Sequence, residues 1–216
     1  KKKKKKKKYI LIITMIDTNN NILVNKILNF WFENKNDYNK WFFSNKYDRY
    51  ITNNFNYILK DAQSGYLHYW LCNHKSYLAL IILLDQFSRH IYRNSEKAFK
   101  NDRSALLFTE MGLDLHIHKL NAIEQTFALM PFQHSENIED QKLGIKILEN
   151  LIQNQKNLEE KNILKRTLFH QKKNCKLIKI YGRFPIRNKY LNRENTEEEI
   201  DYIDETSNNY ISCINT

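Results

Sequence analysis

The sequence predicts a single all-α domain, on three observations. Apolar residues recur at spacings of three and four along nearly the whole chain, and strand-like alternation between turn signals is hard to find. Only four glycines and two prolines punctuate 216 residues, and no Gly/Ser-rich linker divides them. A hydrophobic share of 42% is enough to bury one core without a disulfide or metal staple.

Taken in order, Leu23, Ile27, Phe30 and Trp31 make the first helical stripe. Tyr47, Ile51, Phe55, Ile58 and Ala62 make the second, stopped by Gly65 in a C-cap role. A third helix is expected from an N-cap at Ser76 through YLALIILLDQFSRHIY; its first half is apolar on all sides, the mark of a buried central helix. Ser95 caps a fourth, which carries Ala98, Phe99, Ala105 and Leu106 and ends at Gly112. The fifth spans about His118–Met130 and should end near Pro131, because proline disfavours a helical residue before it. Two longer helices fill 137–157 and 158–180. The last opens on a T-x-x-E capping box, Thr196 to Glu199, with carboxylates at 197–199 at the positive end of the helix. The total expected is seven to nine helices.

Charge is unevenly placed. Lys1–Lys8 supply eight of the 35 Lys and Arg residues, which leaves 27 against 24 acidic residues in the rest of the chain. The body is therefore near neutral and has no global footprint for a specific nucleic acid, although the basic run can bind polyanions without specificity. Residues 1–14 are expected to be a disordered basic tail outside the native protein, with Met15 as the natural start. Residues 15–205 then form the helical domain and 206–216 a frayed C-terminal tail. The apolar stretch Tyr9–Ile16 is barely long enough for a secretory leader, and no small-residue cleavage site follows it. The longest apolar run, Tyr77–Leu84, is far short of a membrane span, so no membrane is expected as a partner. Cys72, Cys175 and Cys213 are too few and scattered for a disulfide framework, which suits a reducing, cytoplasmic setting.

Three polar groups stand out against the apolar background. In LDQFSRHIYR, Asp85, Arg89 and Arg93 are four apart on one helix face, with Gln86 beside them. They read either as an ion-pair ladder worth a few tenths of a kcal/mol per pair, or as Asp85 orienting Arg89 and leaving Arg93 for an anionic ligand. In MPFQHSE, His134 and Glu136 have the types needed for a general base and its orienting carboxylate, or His134 is structural. In KIYGRFPIRN, Gly182 can end a helix at positive φ and Pro185 sets the direction after it. Arg183, Arg187 and Arg193, with Asn188 among them, either build an anion pocket or pair with carboxylates such as Asp85 and Glu136 to pin this loop. His116-x-His118 lacks an acidic or Cys partner, so no metal is expected, and no cofactor is implied: P-loop, dinucleotide-binding and nucleophile-elbow motifs do not occur.

Together these stretches resemble the DUF924 family, small and mostly bacterial proteins of unknown function. The resemblance runs from about Lys26 to Ile203 and rests on ILNFWF at 27–32, WFF at 41–43, LALIILLDQFSRHIYR at 78–93, LMPFQHSENIEDQ at 129–141 and IYGRFPIRNKYLNRENTEEE at 180–199. It implies a right-handed helical array like that of tetratricopeptide-repeat proteins, which the lack of a clear repeat period would not have suggested. The chain departs from the family pattern at Ser88 and His90, where proline and asparagine are usual, and at Ile186, where histidine is usual. A further histidine is expected near Asn174; His170 lies one helical turn earlier.

Two functions remain open at this point. One is a helical scaffold or binding protein with an Arg/His/Glu site for an acidic peptide group or small anion, using Asp85, Gln86, Arg89, Arg93, Arg183, Arg187, Asn188 and Arg193. The other is an enzyme acting on a small anionic substrate, with His134 as base and Glu136 as its orienter. The oligomeric state is not legible.

Overall fold

Apolar on every side, the segment Tyr77–Leu84 has to be surrounded, and in the computed structural model none of its side chains is more than 1% exposed. The structure describes residues 21–33, 41 and 45–214, with side chains through 205. Among these residues there are nine α-helices and no strand. The helices are α1 at 21–32, α2 at Asp48–Gln63, α3 at His74–Ile81, α4 at Ser88–Ile91, α5 at Asp102–His116, α6 at Ala122–His134, α7 at Ile138–Asn154, α8 at Leu158–Tyr181 and α9 at Glu197–Ile214. The all-α expectation holds. The proposed basic tail, 1–14, lies outside the described residues.

The central helix differs from expectation at both ends. Asn73, not Ser76, caps α3, accepting the Lys75 backbone N–H at 2.9 Å, while Ser76 Oγ donates to the Trp70 carbonyl at 2.7 Å. After Ile81 the chain continues into a π-helical stretch, Ile82–Phe87, and then into α4. Around it pack α2, α5 and α6, and α1 contributes Trp31, edge-on to Phe87 and Phe127.

Two breaker residues do not break. Gly112 lies inside α5, where a Cβ would come within 2.1 Å of the Tyr77 ring; it is the point of close approach between α5 and α3. Pro131 lies in the last turn of α6, which runs on to His134. A proline inside a helix costs about 3 kcal/mol through a lost hydrogen bond and a ring clash with the preceding turn. Burial of Phe127, Leu129, Met130 and Phe132 stabilises by roughly 1.5–3 kcal/mol each, so packing wins. The start of α6 carries a capping box the sequence reading passed over, Asn121 with Glu124. Ser95 caps a short 3-10 turn, Glu96–Ala98, rather than α5.

Other signals behave as read. Gly65 (φ +83°) follows the end of α2, and Gly182 (φ +70°) ends α8, its N–H donating to the Ile178 carbonyl at 2.9 Å. Pro185 then opens a 3-10 turn, Pro185–Tyr190, which returns the chain to the mouth of α5 and α6. Both arms of the Thr196–Glu199 box are present, at 2.9 and 3.3 Å.

Candidate functional site

Four elements converge where the π-helical stretch, the C-terminal end of α6, the N-terminal end of α5 and the Pro185–Tyr190 turn meet. Asp85, fully buried, stands at the centre. Its Oδ1 accepts from His134 Nδ1 at 2.7 Å and is ion-paired with Arg89 Nη1 at 3.2 Å, which donates to the Asp85 backbone carbonyl at 2.6 Å, and its Oδ2 accepts from Gln86. Arg89 spans onward, Nη2 donating to Asp102 Oδ2 at 2.9 Å, and the same oxygen receives Arg187 Nη1 at 3.3 Å. The result is a polar chain that starts at His134 and continues through charges of alternating sign, Asp85, Arg89, Asp102 and Arg187.

Its electrostatics follow from burial and neighbours. Burial pushes the Asp85 carboxyl up, but Arg89, His134 and Gln86 together outweigh it and hold it well below the usual carboxylate range. Burial is the main cause that lowers the pKa of His134, and the Arg89 charge adds to it against the pull of Asp85, so the ring is neutral near pH 7. A carboxylate only accepts, so the proton sits on Nδ1 and Nε2 carries the free lone pair. Burial likewise brings Arg187 down to about 10, with Asp102 opposing and Arg89 reinforcing the fall; it remains charged.

Both ends of this chain face one cleft of about 1040 Å³, lined among others by His134, Asp102, Arg187, Arg103 and Leu107. The Arg187 guanidinium lies over Phe99 at 4.8 Å and over Phe184 at 4.5 Å, measured to ring centroids. Two aromatic faces therefore fix the plane of its fork. Asp102 Oδ1 is buried without a hydrogen-bond partner beside it. A second hollow, about 670 Å³ beside α1, contains the Lys75–Glu124 pair, already joined at 2.5 Å.

The other arginines of the sequence motifs, Arg193, Arg183 and Arg93, are spoken for. Arg193 grips Glu136 with both Nη atoms, at 2.7 and 3.0 Å, and the Phe184 backbone N–H adds a third bond to that carboxylate at 2.9 Å. Burial pushes Glu136 up, yet these donors hold it below its ordinary pKa. Arg183 grips Glu199 through Nε (2.7 Å) and Nη2 (2.8 Å), which brings that carboxyl down to about 2, and Asn188 Nδ2 reaches the same group at 3.2 Å. Arg93 leaves the expected ladder because α4 ends at Ile91; it turns to Asp48, whose Oδ1 also meets His90 Nδ1 at 2.8 Å.

The predicted pairing of His134 with Glu136 is thus corrected. Two residues apart in sequence, they point to different partners, because α6 ends at His134 and the chain turns away. Of the predicted site residues, Asp85, Gln86, Arg89, Arg187 and His134 come together, whereas Arg93, Arg183, Asn188 and Arg193 are engaged elsewhere. Asp102, Phe99 and Phe184 were missed. Asp102 reads in sequence as an ordinary first-turn helix carboxylate, and only the surplus of arginines over acids in the motifs hints at it. Ser88 and His90, the departures in the DQF segment, each have a partner: Ser88 Oγ accepts from Asn101 at 2.8 Å, and His90 meets Asp48. Asn174 donates to the Gln133 carbonyl at 3.0 Å, while His170 is exposed and does not approach the site. Among the described residues no group of three His, Cys, Asp or Glu side chains is placed to hold a metal, and no helix is long and apolar enough to cross a membrane.

A family model described as a bacterial protein of unknown function (DUF924) matches residues 27–207. The solved structure of ATU0120 from Agrobacterium tumefaciens, a protein of unknown function, is similar at a TM-score of 0.73 and 29% sequence identity. The match covers 85% of this chain and 98% of that one. No curated protein matches the chain.

Proposed function

Since the chain belongs to the DUF924 family, whose function is unknown, we propose from its geometry that it is a helical binding protein whose cleft takes an anionic group at Arg187. One observation carries this reading: the Arg187 side chain, 11% exposed, lies between two aromatic rings, and its guanidinium makes a single hydrogen bond of 3.3 Å among the described residues. Arg193 and Arg183 each have two short bonds to a carboxylate. A guanidinium with a fixed plane and unused donors is pre-organised for a carboxylate or phosphate. Thermal shift of the full chain with acetate, succinate and inorganic phosphate tests it. Stabilisation by at least one of them, absent in Arg187→Met, is expected; equal shifts in both proteins would sink the reading. At 100 times its Kd a ligand adds about 2.7 kcal/mol, so weak binders suffice.

A second reading, an enzyme acting on a small anionic substrate, is favoured by the Asp85–His134 pair. A neutral histidine with Nδ1 held by a buried carboxylate and Nε2 unclaimed on a cleft wall is equipped to take a proton from a bound molecule. Asp85 replaces Glu136 as the orienting group. Turnover of small anionic esters or phosphoesters, lost in His134→Gln with Arg187-dependent binding retained, would move this reading ahead of the first.

A further inference from the structure

The cleft is not uniform along α5. Its basic pole, with Arg187 and Arg103, sits at the N-terminal end of that helix, and an acidic pole, Glu110 of α5 facing Asp140 of α7, lies two turns further on. Burial is the main cause that raises the Glu110 carboxyl and the Asp140 charge adds to it, as for a pair of carboxylates without a cation. Between and beyond the poles α5 shows an apolar stripe. Leu107, Met111 and Leu115 are spaced four apart and are 51%, 55% and 61% exposed.

A small free anion is drawn to one pole and repelled by the other, and it makes no use of the stripe. An extended chain with a carboxylate at its end fits all three features. We infer, resting on the anion-binding reading above, that the occupant of the cleft is a peptide C-terminus. Its terminal carboxylate lies on Arg187, an apolar side chain lies against Leu106 and Leu107, and a Lys or Arg side chain upstream meets Glu110 and Asp140. From Asp102, which holds Arg187, to Glu110 is eight residues of helix, about 12 Å at ~1.5 Å per residue. An extended peptide covers that span in about three or four residues at ~3.3 Å each. Capture of a C-terminal carboxylate with side-chain specificity along a groove is an established mode of peptide recognition.

The test is an array of decapeptides randomised over the last six positions, each made with a free and an amidated C-terminus, and probed with the full chain and with Arg187→Met. Because Lys1–Lys8 attract any anion, binding is scored as the difference between the two proteins. Free-carboxylate peptides with apolar residues near the end and Lys or Arg three or four positions upstream should be retained. Amidation should weaken them at least about tenfold. In Glu110→Lys, an exposed change away from the core, the preference should swing from Lys or Arg to Asp or Glu. Retention that ignores amidation, or no Arg187-dependent retention at all, overturns the inference. If acetate or phosphate still stabilises the wild-type chain through Arg187, the anion site stands and only the peptide falls; if neither does, both fall.

Discussion

Two arginine–carboxylate clusters lie against each other here, built from the same side chains and closed to different degrees. At the turn after α8, Glu136 and Glu199 are each gripped by both arms of an arginine and by a backbone N–H as well. At the cleft, Arg187 has one long bond, Asp102 Oδ1 has no partner, and His134 Nε2 is unclaimed. Saturation separates them. A carboxylate holding three or four donors fastens loop to helix and has little left for a ligand, even though Arg193 Nε beside Glu136 is itself buried without a partner. A charge whose burial is not fully compensated can be completed by a group from outside, and that makes it a candidate site rather than a clamp.

The largest effect should come from the buried centre of the open chain. Asp85→Ala strips Arg89 and His134 of their shared partner and should destabilise by about 3–5 kcal/mol, read by urea denaturation; a loss under about 1 kcal/mol would show that Asp85 is not the keystone of that chain. Next comes the contrast between clamp and cleft. Arg193→Met, which breaks a bidentate but partly exposed pair, should cost about 1–2 kcal/mol. Arg187→Met should stay within about 1 kcal/mol or stabilise, since Asp102 keeps Arg89 and an undercompensated buried charge is replaced by an apolar stem. Equal losses in the two variants would erase the distinction. The smallest effect is that of pH. Burial is the main cause that holds His134 and His90 below the ordinary histidine value of 6.5 in the folded chain. The unfolded chain therefore binds more protons as pH falls through that value, and the stability present above it is lost on acidification. The melting temperature should fall between about pH 7 and 5.5, with a shallower slope in His134→Gln; a flat profile would place neutral histidine outside the balance.

The sequence announces helices better than it announces partners. The run 77–84 is apolar all round and could only be central, and T-x-x-E could only open a helix, because both signals act within a few residues of chain. Gly112 and Pro131 misled for a physical reason: each is locally a breaker, and only the Tyr77 ring or the packing of α6 explains its position in mid-helix. The site was harder still. Asp85 and His134 are 49 residues apart, and Asp102 and Arg187 are 85 apart. Residue types at 85, 89, 134 and 187 were legible, but which acid meets which base is decided by how α5, α6 and the turn pack. Glu136, the nearest acid to His134 in sequence, was therefore the wrong partner.

Glu199 has a consequence for how the molecule opens. The same carboxylate closes the capping box of α9, through the Thr196 N–H, and holds Arg183 and Asn188 of the turn before it. The first turn of α9 cannot unwind without releasing the turn, and the turn cannot swing away without uncapping the helix. In amide hydrogen exchange the two segments should therefore open as one cooperative unit, so that the entrance to the cleft would share its opening free energy with a helix that contributes no side chain to it.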